Sequence, residues 1–218
     1  QIAPNDLARL AEADLFVING GGMESFIERT LVQLPTLRIL NAGEGLEAPA
    51  GSPAAGNSHY WVSPTLHLRQ VTRIADGLAQ ADPARAGLYR RNASNYCARL
   101  DAVRHEGRIA LAALSRREII TYHDAFAHFA AEFDLHVAAV IAPEHGAQPG
   151  ARDIARIADL VRARSIPALF TEPQFPALAA QTIARETGIR VFTLDSGATG
   201  PLEPDAYINT LRANFKTL

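Results

Sequence analysis

An α/β fold of two lobes, each with a parallel sheet and joined by one long helix, is what this sequence predicts, and three observations predict it. Short, continuously apolar segments alternate with amphipathic helical stretches along most of the chain, as in a parallel sheet covered on both faces. Between about residues 81 and 114 the alternation stops and the pattern stays helical for roughly 32 residues, or about 45–50 Å at 1.5 Å per residue. A helix of that length exceeds the width of one small lobe. With 218 residues, the chain has room for two lobes of roughly 100 residues each. The organisation expected is an N-terminal lobe over 1–80, a linking helix over 81–114 and a C-terminal lobe over 115–218.

Each element has its own signal. Pro4-Asn5-Asp6-Leu7 opens a helix to about Ala13, and Leu15-Phe16-Val17-Ile18 is an apolar strand ending at Gly20-Gly21-Gly22. Met23, Phe26, Ile27, Leu31 and Leu34 predict one face of a helix, followed by a strand over Leu37 to Leu40. Residues 41–58 are mostly Gly, Pro, Ala, Ser and Asn with almost no bulky apolar side chains, and are expected to form a mobile surface loop that packs no core. Ser63-Pro64 fits an N-cap with proline at the first helical position, backed by a stripe of Leu68, Val71, Ile74, Ala75 and Leu78. A second helix start lies at Asp82-Pro83, with Leu100, Val103, Leu111 and Leu114 as its apolar line. Gly87 and Gly107 weaken its continuity. Strands are then expected at 118–122, 136–141, 167–171 and 190–194, with helices through Phe126 to Phe133 and over 151–164, 177–187 and 205–215.

Composition narrows the chemistry. A formal net charge of −2 gives no broad attraction to phosphate backbones or anionic lipid, so nucleic acid is not an expected partner. No apolar run approaches the roughly 18 residues of a bilayer span. The single cysteine, Cys97, excludes an internal disulfide and any site built of several thiolates, and it reads as a core residue. A metal would have to be held by His, Asp and Glu. Gly20-Gly21-Gly22 looks like a phosphate-cradling turn, but it lacks the Lys-Ser/Thr pair and the GxGxxG spacing of nucleotide sites.

Ligands of open parallel sheets bind at the carboxyl ends of the strands. That rule selects His123 and Asp124 after the strand 118–122, Glu172 after 167–171 and Asp195 after 190–194. His59 ends the loop of the first lobe, where a cleft between lobes would bring it opposite the others. Each residue also has a plainer reading: His59 as a loop histidine, Asp124 and Glu172 as helix caps, Asp195 as an Asx turn. His67, His105 and His128 lie off the apolar stripes and are expected in solvent. His136 is expected in the core or at a sheet edge, and His145 lies in a loop.

The stretches His59-Tyr60-Trp61-Val62-Ser63-Pro64, Tyr122-His123-Asp124-Ala125-Phe126, Glu144 with Gln148-Pro149-Gly150, Phe170-Thr171-Glu172-Pro173-Gln174-Phe175 and Thr193-Leu194-Asp195 resemble, in this order, zinc and manganese ABC-transporter solute-binding proteins. The resemblance covers nearly the whole chain. It implies two lobes linked by one rigid helix with a metal site in the interlobe cleft, and metal ligands at His59, His123 and Asp195. Glu172, Asp124 and Glu144 would support them from behind. Two imidazoles favour Zn²⁺ over Mn²⁺. The expected function is zinc capture and delivery to an ABC-type membrane permease by a monomer in the periplasm, free or lipid-anchored.

A zinc hydrolase with an open coordination position, and an adhesin or metallochaperone on the same fold, are the alternatives. The family also has a histidine ahead of the segment matching Pro4-Asn5-Asp6. The precursor is therefore expected to continue upstream of Gln1 with a signal sequence, an opening strand and that histidine as a fourth ligand.

Overall fold

The computed structural model describes residues 3–142 and 149–218. They form two compact units, 1–101 and 102–218.

The first unit begins with α1 (Pro4–Glu12), β1 (Leu15–Ile18), the single-turn α2 (Glu28–Leu31) and β2 (Arg38–Asn41). The two strands pair in parallel, from Leu15 with Arg38 to Ile18 with Asn41. A 3-10 turn at Tyr60–Val62 leads into α3 (Pro64–Ala81), where the Ser63 side chain accepts the Leu66 N–H at 3.2 Å and Pro64 takes the first position. Helix α3 crowds β2 at Gly77, where a Cβ would lie 2.4 Å from a Leu40 methyl. Two expectations fail here. The helix read over Met23 to Leu34 is mostly turns, with α2 as its only helical part. Three left-handed glycines, Gly20 to Gly22, lead into it, and Phe26 of its expected apolar face is exposed. The segment 41–58 has no regular element beyond Asn41 at the end of β2, yet it buries Ala42, Leu46 and Ala54. Its few apolar side chains do pack.

Helix α4 (Ala86–Ala112), preceded by a 3-10 turn at Pro83–Arg85, runs unbroken for 27 residues, about 40 Å, and carries the chain from the first unit into the second. Leu100, Val103 and Leu111 are its fully buried line. Gly107 belongs to that line and does not interrupt it. A Cβ there would lie 2.3 Å from the Phe215 ring, so the missing side chain admits the aromatic. Cys97, expected in the core, is only half-buried.

The second unit alternates β3 (Glu118–His123), α5 (Ala127–Glu132), β4 (His136–Ala142), α6 (Ala151–Arg164), β5 (Ala168–Thr171), α7 (Leu178–Thr187), β6 (Arg190–Thr193) and α8 (Ala206–Thr217). Its sheet has the order β4-β3-β5-β6, all parallel. Side chains alternate across it. Ile120, Tyr122, Ile141 and Leu169 pack with Ile157 and Val161 of α6 and Ala180 and Ile183 of α7. On the other face Phe170 and Phe192 stack at 6.0 Å, while Phe129 of α5 and Phe133 at its C-cap meet Phe215 of α8 at 6.0 and 5.1 Å. Among the described residues no helix is long and apolar enough to cross a membrane.

The two α4 glycines should therefore respond oppositely to substitution. Gly107→Val drives a branched side chain into Phe215 and should cost about 1–3 kcal/mol. Gly87→Ala meets nothing within 4 Å and should be neutral or slightly stabilising. Urea unfolding of the whole chain measures both, and equal effects would contradict this packing.

Candidate metal centre

In the second unit the chain passes from β3 to β4 on one side and then returns to place β5 on the other side of β3. The winding reverses there, which is where ligand sites form in open parallel sheets. His123 is the last residue of β3, and Glu172 follows β5 directly. Their side chains meet at these strand ends, with His123 Nδ1 3.3 Å from Glu172 Oε1. Both residues are buried, 6% and 2% exposed.

The other Glu172 oxygen accepts from Gln174 Nε2 at 2.9 Å, and that nitrogen also lies 3.2 Å from Ser196 Oγ. The Phe175 ring sits 5.2 Å from the rings of both Tyr122 and His123. A carboxylate facing Nδ1 assigns the ring hydrogen to that nitrogen, which leaves the donor lone pair on Nε2. This is the usual arrangement behind a metal-binding histidine. Glu172 caps no helix, since α7 begins after Ala177.

Asp195 lies two residues beyond β6, the next strand in the sheet. Its Oδ1 accepts the Gly197 N–H at 2.8 Å, so the Asx turn is present. Its backbone is held on both sides by buried Asn214 of α8: the Asp195 N–H donates to Asn214 Oδ1 at 2.9 Å, and Asn214 Nδ2 donates to the Asp195 carbonyl at 2.7 Å. Asp124 is half-buried in the turn after β3 and does not cap α5, whose N-cap is Phe126. Glu144 and His145 lie outside the described residues.

His59 belongs to the first unit and is half-buried ahead of the 3-10 turn. Its backbone N–H and its Nδ1 both meet Asn57 Oδ1 at 2.9 Å, and its ring lies 5.2 Å from that of Trp61. The preceding carbonyl, on Ser58, accepts from Asn19 Nδ2 at 2.8 Å, and Asn19 Oδ1 accepts from Gln70 Nε2 at 2.9 Å. The glycine turn supports the same segment. A Cβ on Gly21 would lie 2.7 Å from Ser58 Cβ and from the Tyr60 hydroxyl. The Glu24 carboxylate accepts the N–H groups of Asn19 and Gly20 at 2.7 and 3.0 Å, filling with a side chain the place a phosphate would take.

Of the remaining histidines, His105 is exposed, and His136 is exposed at the start of the edge strand β4 with Glu118 Oε1 3.6 Å away. His128, expected in solvent, is buried, because α5 is a six-residue helix that buries Ala127 through Ala130 consecutively and keeps no polar face there. His67, also expected in solvent, is half-buried. In neither unit, among the described residues, do three or more His, Cys, Asp or Glu side chains gather around one point. Asn57, Asn19, Gln70, Gln174 and Asn214 were not singled out by sequence. Asn57 has a local signal, an Asn two residues before the histidine, the spacing of an Asx turn, and Gln174 lies two residues after the Glu172 it meets.

A family model described as "Zinc-uptake complex component A periplasmic" matches residues 1–218. The high-affinity zinc uptake system protein ZnuA of Bacillus subtilis is 25% identical over 236 residues, covering 99% of this chain and 74% of that protein. The zinc-binding protein AdcA of Streptococcus pyogenes is 24% identical over 243 residues, covering 98% of this chain but only 47% of its own length. Among solved structures, the SBP FpvC of Pseudomonas aeruginosa in complex with Mn²⁺ superimposes with a TM-score of 0.89 at 29% identity, covering 100% of this chain and 82% of that one. The same protein is known in complex with Ni²⁺.

The buried surroundings of His67 lower its pKa to about 4, against a weaker upward pull from Gln70. The folded value lies below the unfolded value of about 6.5, so the unfolded chain takes the proton first. Stability from this group is complete above about pH 6.5 and is lost as pH falls toward about 4. Urea unfolding across that window should show a shallower pH dependence for His67→Gln than for the parent. Identical slopes would place His67 in solvent.

Proposed function

The chain belongs to the family of periplasmic zinc-uptake complex A components, and from that premise we propose that it captures zinc outside the cytoplasm and hands it to an ABC-type membrane permease. His59, His123 and Asp195 are the proposed ligands, with Glu172 holding His123 from behind and Asp124 and Glu144 as further supports. The observation that carries this reading is the buried His123–Glu172 pair at the switch point of the second sheet, with Asp195 after the neighbouring strand. Imidazole nitrogen and carboxylate oxygen are the donors zinc accepts when thiolates are lacking. Periplasmic residence, free or lipid-anchored, and the permease partner are inferred from the family.

Zinc is the cargo, and no bond is made or broken in it. The hydrolase alternative needs a carboxylate ready to take a proton from a metal-bound water. Glu172 is poorly suited to that role, because one of its oxygens faces His123 and the other accepts from Gln174. Manganese and nickel in a structural neighbour make the choice of metal a property of the donors, and the two histidines weight it toward zinc over manganese.

His59→Ala and His123→Ala should each weaken zinc binding at least about tenfold, or about 1.4 kcal/mol, while His105→Ala on an exposed helix face leaves it unchanged. Equal losses from all three would point to adventitious surface histidines. His123→Glu replaces imidazole by carboxylate and should weaken zinc more than manganese. The readout is the zinc-to-manganese affinity ratio from competition titration at one pH, and a ratio unchanged within about twofold would remove His123 from the ligand set.

A further inference from the structure

The atom shared by the His59 backbone and the His59 ring decides which ring nitrogen faces outward. Asn57 Oδ1 lies 2.9 Å from the His59 nitrogen and 2.9 Å from His59 Nδ1. A backbone N–H only donates, so the Asn57 atom facing it is the carbonyl oxygen and not the amide nitrogen. That oxygen only accepts. Nδ1, meeting the same oxygen, must therefore carry the ring hydrogen, which leaves the lone pair on Nε2. A histidine without such an acceptor divides between both tautomers, and only the fraction with its lone pair on the correct nitrogen is ready to bind.

The surroundings make this a fixed orientation and not a passing contact. Asn19 at the end of β1 holds the Ser58 carbonyl, and Gln70 of α3 holds Asn19. Gly21 and Gly43 leave room for Ser58 and Tyr60 to settle, since a Cβ on either glycine would lie 2.6–2.7 Å from them. With the chain fixed on both sides of His59, the remaining freedom is the setting of the ring, which Asn57 and the neighbouring Trp61 govern.

We propose that Asn57 is the positioning residue that presents His59 to the metal as an Nε2 donor. This rests on the reading of His59 as a ligand. Its role parallels that of Glu172 behind His123, with a neutral amide in place of a carboxylate. Groups behind a metal-bound histidine commonly change affinity about 10–100-fold when removed.

The test reads the tautomer and the affinity separately. In the metal-free parent, imidazole ¹⁵N shifts should show His59 protonated on Nδ1, and in Asn57→Ala a mixture of tautomers. Zinc affinity by competition titration should fall at least about tenfold in Asn57→Ala and return in Asn57→Asp, which keeps the acceptor oxygen. In a His59→Ala background, Asn57→Ala should cost nothing more. An Nε2–H tautomer in the parent overturns the proposal whether or not the variants fold. So does full affinity of Asn57→Ala while His59→Ala binds weakly, an outcome that leaves His59 a ligand. Full affinity of His59→Ala overturns the ligand reading itself, and this proposal with it.

Discussion

Parallel strands cannot be joined by tight hairpins, and every strand of the second sheet is reached by a crossover that brings the chain back to the same end. The carboxyl ends of β3, β4, β5 and β6 therefore share one edge. Reversing the winding once, after β4, leaves the ends of β3 and β5 without a crossover between them. The candidate centre depends on that gap. His123 and Glu172 are adjacent because their strands are, and they are buried because apolar layers cover the sheet on both faces. Burying two such polar groups is costly unless their hydrogen-bonding capacity is met. The chain from His123 through Glu172 and Gln174 to Ser196 meets it.

The second unit was the more legible half. Its strands are covered on both faces, so they read as unbroken apolar runs between helices with polar faces, and the expected bounds agree with the observed ones to within a residue or two. The first unit was harder for the same physical reason. Its two-stranded sheet leaves Val17 and Ile39 exposed, so apolar content does not report burial there. Met23, Phe26 and Ile27 have helical spacing, yet Glu24 turns back to bind the Asn19 and Gly20 N–H groups and holds the chain in turns. Local side-chain hydrogen bonds competed with the helix and prevailed. In 41–58, counting bulky residues missed that Ala42 and Ala54 are small enough to be buried.

At the candidate site, charged and imidazole side chains were legible because the strand-end rule picks out residue types with metal chemistry. The amides were not. Asn19, Gln70 and Asn214 have no spacing that marks them, since Gln70 meets Asn19 across 51 residues and Asn214 meets Asp195 across 19. Burial of His128 was equally hidden, because a six-residue helix is too short for an apolar stripe to be distinguished from its other faces.

Asn214 has a further implication, for tolerance to substitution. Its side chain completes the backbone of Asp195 as a neighbouring strand would, one atom accepting and one donating. Aspartate offers two acceptors and no donor, leucine offers neither, and glutamine is a methylene too long for the same reach. Among the buried positions of α8, Ile208, Leu211 and Phe215 ask only for apolar bulk, whereas Asn214 has almost no alternative residue. Sequence libraries built on the fold should hold Asn214 fixed together with the aspartate it supports.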